Sequence, residues 1–157
     1  MTQTSPVTKP ATKPGRAMRR CSRKLAMQGL YQWRVAGGTV EVIEAQLRDG
    51  KEFAKTDQDF FSELLRGALA NSAELEQQIQ PYLDRPFKEL SPVEFAILLL
   101  GTYELADRPE IPYRAVINEA VELAKIYGGT DGHKYVNGVL DKLAAKLRAS
   151  EVSTARL

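Results

Sequence analysis

Residues 92–107 form a segment that is apolar on nearly every side, and few folds have room for such a helix. Ser91-Pro92-Val93-Glu94 marks its start. Serine accepts amide hydrogen bonds at the N-cap, proline fits the first helical position, and Glu94 can return a bond to the cap amide. Phe95, Ala96, Ile97, Leu98, Leu99 and Leu100 then follow without a polar break. A helix apolar all round has to be packed on more than one face, so this one is expected at the centre of a helical protein.

The rest of the chain repeats with a helical period and offers almost nothing that reads as strand. A first helix over about 16–36 puts Met18, Cys21, Leu25, Ala26, Leu30 and Trp33 on one arc and stops at Gly37-Gly38. A short helix over 39–49 offers Val40, Ile43 and Leu47. A third, 57–78, carries Phe61, Leu64, Leu65, Ala68, Leu75 and Ile79, with Ser72 as the polar intrusion. Pro81 breaks it, leaving Tyr82-Leu83 as a short turn. The sixth helix begins at Pro112 and ends at Gly128-Gly129, burying Val116, Ala120, Leu123, Ala124 and Tyr127. Asp131 reads as the cap of a seventh helix, 132–148, with Val136, Leu140, Leu143 and Leu147 inward. The expected fold is all-α, a single compact domain of about seven helices in two packed halves divided at 50–56 and 81–91. Residues 1–15, rich in proline, are expected to be a disordered basic arm, 16–148 the domain, and 149–157 a flexible tail.

Charge is unevenly divided along this chain. Residues 1–24 hold seven of the 22 basic residues and none of the 20 acidic ones, so a +7 leader precedes a −5 body. Within the leader, Arg16, Arg19, Arg20 and Arg23 recur at i, i+3, i+4 and i+7, which places four guanidinium groups on one helix face opposite Leu25 and Trp33. Four stacked cations repel one another unless anions neutralise them. A nucleic-acid backbone does so, because arginine grips phosphate bidentately and stacks on bases. A solubilising tail and an anionic membrane surface are the competing readings; the second is weakened because the opposite face is committed to the core. Tyr31, Tyr82, Tyr103, Tyr113, Tyr127 and Tyr135 are candidates to stack on unpaired bases, each with core packing as its ordinary alternative. Tyr135 follows His133-Lys134 at a helix start, where amides and a cation suit a phosphate. Glu74, Glu76, Glu89, Glu94, Glu104, Asp107 and Glu110 are available to a basic protein partner, or are simply solvated.

Catalytic readings find little support. One cysteine, Cys21, and one histidine, His133, leave no internal disulfide and no Cys-based or His-rich metal site. Cys21 lies on the apolar arc, where burial is the default. Glu119 and Glu122 read as a solvated acidic face. Gly128-Gly129-Thr130-Asp131-Gly132 lacks the order and the preceding strand of a phosphate-binding loop, so it reads as a helix stop. No catalytic constellation, cofactor or metal is expected. No apolar run nears the roughly 20 residues that span a bilayer, and no secretory signal is present, which predicts a cytoplasmic protein.

Several ordered blocks carry a resemblance. They are Arg19-Arg20 with Arg23, Ala26-Met27-Gln28-Gly29-Leu30-Tyr31-Gln32-Trp33, Pro81-Tyr82-Leu83, the 93–105 segment, residues 112–120, and His133-Lys134-Tyr135-Val136-Asn137-Gly138-Val139-Leu140-Asp141. Together, over about 16–147, they resemble the NusB family of bacterial transcription antitermination proteins. The resemblance implies a helical RNA-binding domain that takes the boxA sequence of nascent RNA together with ribosomal protein S10. That assembly would join other Nus factors and RNA polymerase and support transcription of ribosomal RNA operons. It implies RNA contacts at Arg19, Arg20 and Arg23, with Tyr82, Asp131, Lys134 and Tyr135 as further positions; Arg16 and Lys24, basic residues beside that motif, are expected to add RNA contacts of their own. Glu94 is implied as part of the S10 surface. Cys21 stands where the motif often has another arginine. A non-catalytic protein-interaction scaffold is the alternative; a ribosomal RNA methyltransferase, which also carries such a domain, fits poorly because no Gly-rich cofactor domain or catalytic cysteine motif is present.

Overall fold

A computed structural model describes residues 15–156. The expected disordered arm lies, but for Gly15, outside the described residues, as does Leu157. Eight α-helices form among the described residues: α1 (Arg16–Ala36), α2 (Val40–Arg48), α3 (Gln58–Ala70), α4 (Ser72–Ile79), α5 (Pro92–Asp107), α6 (Tyr113–Tyr127), α7 (Gly132–Leu147) and α8 (Ala149–Ala155). Short 3-10 turns occupy Lys51–Lys55, Gln80–Tyr82 and Phe87–Glu89, and no strand is present among these residues.

The apolar segment is the axis, as its composition requires. Ser91 Oγ accepts the Glu94 amide at 3.1 Å, and all eleven residues from Phe95 to Leu105 are buried. Around α5 pack α1, α3 and α4 from the first half and α6 and α7 from the second. The two halves therefore share one core instead of meeting across an interface. Its largest fully buried side chains include Phe61, Phe95, Leu30, Leu64 and Leu98. α3 and α5 approach so closely at Gly67 that an added Cβ would lie 2.3 Å from Cζ of Tyr103. α1 ends where Gly37 and Gly38 turn to positive φ (74° and 106°).

The expected helix over 57–78 is two helices. Asn71 ends α3 by donating from both its backbone N and its side-chain Nδ2 to the Gly67 carbonyl, at 3.1 and 2.8 Å. The apolar spacing runs on through Leu75 and Ile79, so periodicity alone hid the break.

The expected flexible tail over 149–157 is corrected by α8. Arg148 is buried, and its guanidinium donates to the carbonyls of Leu105, Ile111, Glu104 and Arg108 at 2.7–3.2 Å. Glu151 accepts from Arg148 at 2.6 Å and from the Tyr113 amide at 2.8 Å. One side chain thus satisfies the otherwise open Leu105 and Ile111 carbonyls at and just beyond the end of α5, and its partner satisfies an open amide at the start of α6. Val152 is buried behind them.

Candidate nucleic-acid interface

The face predicted on α1 divides along its length. Its first turn projects past the core, so Arg16 and Arg20 are exposed and Arg19 is half-buried. One turn later α1 meets α5, and Arg23 is buried. The Arg23 guanidinium donates three hydrogen bonds of 2.9–3.1 Å to both carboxylate oxygens of Glu104, itself only 2% exposed. Burial pushes the Glu104 carboxyl above its ordinary value, and the adjacent guanidinium opposes that push. Arg23 is therefore corrected from an outward cation to an interior one, and Glu104 from a surface acid to its buried counterpart. Arg23, Arg19 and Arg108 also surround the Phe60 ring, with guanidinium carbons 5.1, 4.5 and 5.1 Å from its centroid.

Arg19, Arg20 and Lys24 on α1 each meet an acid from a different element. Arg19 approaches Asp57, just before α3, at 3.7 Å. Arg20 reaches α6, where Nε and Nη2 each donate to a different oxygen of Glu119 at 3.0 Å. Lys24 pairs with Glu52, which holds the ammonium above its ordinary value. Cys21, half-buried, points its thiol at the Glu52 carbonyl at 3.7 Å. Glu119 is thus not part of a solvated acidic face; 14% of its side chain remains exposed.

Between α1 and α6 these residues line an open cavity of about 610 Å³, formed by Arg16, Arg19, Arg20, Arg23, Ala115, Asn118, Glu119 and Glu122. Arg20, Glu119 and Glu122 also border a second, more apolar cavity of about 290 Å³ that includes Lys24, Cys21, Ile126 and Tyr127. Tyr127 in turn borders a third recess with Met27, Gln28, Tyr31 and Val93. The three recesses adjoin through shared lining residues and form a broken channel from the first turn of α1 to the start of α5. Tyr31 and Tyr127 are exposed along it, whereas Tyr103 and Tyr113 are core residues. Asn118 and Glu119 had no signal in the sequence as channel residues, because nothing in one chain says which face of α6 will meet α1.

The second group gathers at the start of α7. Arg85 lies over the Tyr135 ring at 4.5 Å, and the Tyr135 hydroxyl accepts the Asp84 amide at 3.3 Å. Lys134 is exposed and lies 3.4 Å from Asp131. Tyr82 packs half-buried against the core. Asp131 does not cap α7 with its side chain: its φ of 62° is left-handed, whereas an N-cap carboxylate needs extended backbone to reach the next amides. Glu94 stands against the same helix start, its Oε2 being 2.7 Å from where a Cβ on Gly132 would sit. Glu94, assigned to a separate protein surface, thus shares a neighbourhood with Asp131, Lys134 and Tyr135. Arg85 carries no signal in the sequence, where it simply follows Asp84 in a loop bounded by Pro81 and Pro86.

No group of three or more potential metal ligands forms among the described residues, and no helix there is long and apolar enough to cross a membrane.

Known proteins match this arrangement over most of its length. A model of the NusB family matches residues 20–145. The transcription antitermination protein NusB of Nitrosospira multiformis is 73% identical over 130 residues, covering 83% of this chain and 82% of its own. That of Ralstonia nicotianae is 54% identical over 156 residues, covering 99% and 100%. Among solved structures, T. maritima NusB superposes with a TM-score of 0.74 at 31% identity over 82% of this chain and 91% of its own. A crystal structure of the antitermination factors NusB and NusE in complex with dsRNA superposes with a TM-score of 0.77 at 25% identity over 84% and 99%. With a matching model over most of the domain, near-full-length relatives and the same helical arrangement, this chain belongs to the NusB family.

Proposed function

We propose that this protein is a transcription antitermination factor that binds RNA jointly with a basic protein partner. The observation that carries the reading is the open channel whose mouth presents Arg16, Arg19 and Arg20 together, in a chain of this family. Guanidinium groups there are placed to hold successive phosphates, and the exposed Tyr31 and Tyr127 rings offer stacking surfaces further along. The group at Lys134, Asp131, Tyr135 and Tyr82 supplies a second contact region, and Glu94 beside it meets the partner. The RNA is a boxA-type single strand, the partner is ribosomal protein S10, and the assembly joins other Nus factors and RNA polymerase on ribosomal RNA operons. The role is recognition without catalysis. A solved relative described in complex with NusE and dsRNA supports the joint binding.

Titrating boxA-type and scrambled single-stranded RNA, each with and without S10, tests the reading. Binding should weaken with salt, favour the boxA-type strand and tighten when S10 is added. Equal affinity for both strands, unchanged by S10, would overturn it.

A further inference from the structure

Resting on the RNA reading above, we infer that Glu119 is an intramolecular stand-in for an RNA phosphate, and that it sets how tightly the arginine end of the channel holds any RNA strand. The Arg20–Glu119 contact is fork on fork: Nε meets Oε1 and Nη2 meets Oε2, both at 3.0 Å. This is the geometry with which arginine takes two oxygens of a phosphate. A guanidinium edge can offer its paired donors to one such anion at a time. Phosphate and carboxylate therefore compete for the Nε/Nη2 edge of Arg20.

The two partners differ in freedom. The Arg20 side chain is 53% exposed and reachable from solvent, whereas Glu119 is 14% exposed and held on α6. Arg20 is the member able to turn toward a strand, leaving Glu119 behind. The pair also lines both the 610 Å³ and the 290 Å³ cavities, so a strand entering past Arg16 and Arg19 reaches it before the apolar recess. Glu122, one turn along α6, removes the same formal charge when neutralised but pairs with Lys125 at 3.3 Å and does not touch the Arg20 fork.

Exposed ion pairs shift equilibria modestly, up to about fivefold. Glu119→Gln is thus expected to raise affinity roughly three- to fivefold for boxA-type and scrambled single-stranded RNA alike, measured by fluorescence anisotropy with full-length protein. Glu122→Gln should give less than half that gain. In an Arg20→Ala background, Glu119→Gln should give none, because the contested fork is gone. Thermal unfolding of each variant checks that the fold is kept, and Glu119→Asp, which keeps the charge but shortens the reach, should fall between wild type and Glu119→Gln. A gain that persists without Arg20, or that Glu122→Gln matches, would show only general charge repulsion and overturn the inference. A loss of affinity in Glu119→Gln would overturn it too, by showing that Glu119 positions Arg20 for RNA. Failure of every protein, wild type included, to bind either strand would instead overturn the RNA reading itself.

Discussion

Arg23 and Glu104, 81 residues apart in sequence, close on each other inside the protein through three hydrogen bonds of 2.9–3.1 Å. The arginine run on α1 therefore serves two purposes. Its first turn faces the channel, and its last member ties α1 to the central helix.

The two ends of the run should respond differently to truncation. Arg23→Ala leaves a buried carboxylate unpaired and is expected to cost about 3–5 kcal/mol. Arg20→Ala breaks an exposed pair and should cost about 0–1 kcal/mol. Urea denaturation of both variants checks this, and similar losses would count against the division.

Glu44 gives the fold a pH dependence. It is buried between α2 and α3 and accepts from Arg48 at 2.7 Å, Ser62 at 3.1 Å and Arg66 at 2.5 Å. Burial raises its carboxyl, but those three donors outweigh burial and hold it below its ordinary 4.5. A depressed carboxyl stabilises the fold above its unfolded value, and the benefit is lost as pH falls through the folded one. Glu104, pushed upward, has the opposite sign. Wild type and Glu44→Gln should thus differ most at neutral pH and converge on acidification below 4.5. A gap in unfolding free energy that ignores pH would contradict the assignment.

Arg148 predicts that the C-terminal residues matter to the core. Arg148→Ala would leave the Leu105 and Ile111 carbonyls without a protein donor, because those of Glu104 and Arg108 still accept the Arg108 and Ile111 amides, and with about 1–3 kcal/mol for each buried unsatisfied group the loss should reach about 2–6 kcal/mol. Amide exchange should accelerate first around residues 105–113. Exchange confined to α8 would mean that the helix is merely appended.

Gly67 should resist even alanine. The added Cβ would overlap the Tyr103 ring, so Gly67→Ala is expected to cost about 1–3 kcal/mol. Tyr103→Leu in the same protein should recover part of that loss, giving a favourable coupling in a double-mutant cycle. Additive losses would place the strain elsewhere.

Much of this arrangement was legible in the chain, for definite reasons. The Ser91-Pro92 start and the all-round apolar run announced α5 and its central place, because burial on every side admits one position in a bundle. The arginine spacing announced a basic face. It did not reveal that Arg23 turns inward, since that depends on where α1 crosses α5 and on Glu104 waiting there. The end of α3 at Asn71 was hidden by apolar spacing that continues through Ile79. α8 was hidden because its anchors, Arg148 and Glu151, are charged residues whose partners are mostly carbonyls and an amide from distant turns. Asp131 was misread because helix spacing gives the cap position but not the backbone angle that decides whether its side chain can cap.

Arg19 and Arg20 are proposed to hold RNA phosphates, while Arg23 holds the fold through Glu104. The salt dependence of RNA affinity tests this division most directly, comparing wild type with Arg19→Ala/Arg20→Ala. On a single strand each lost phosphate contact lowers the slope of log affinity against log salt by about 0.7, so the double variant should lose about 1.4 while still unfolding near the wild-type temperature. An unchanged slope in a folded double variant would contradict the account.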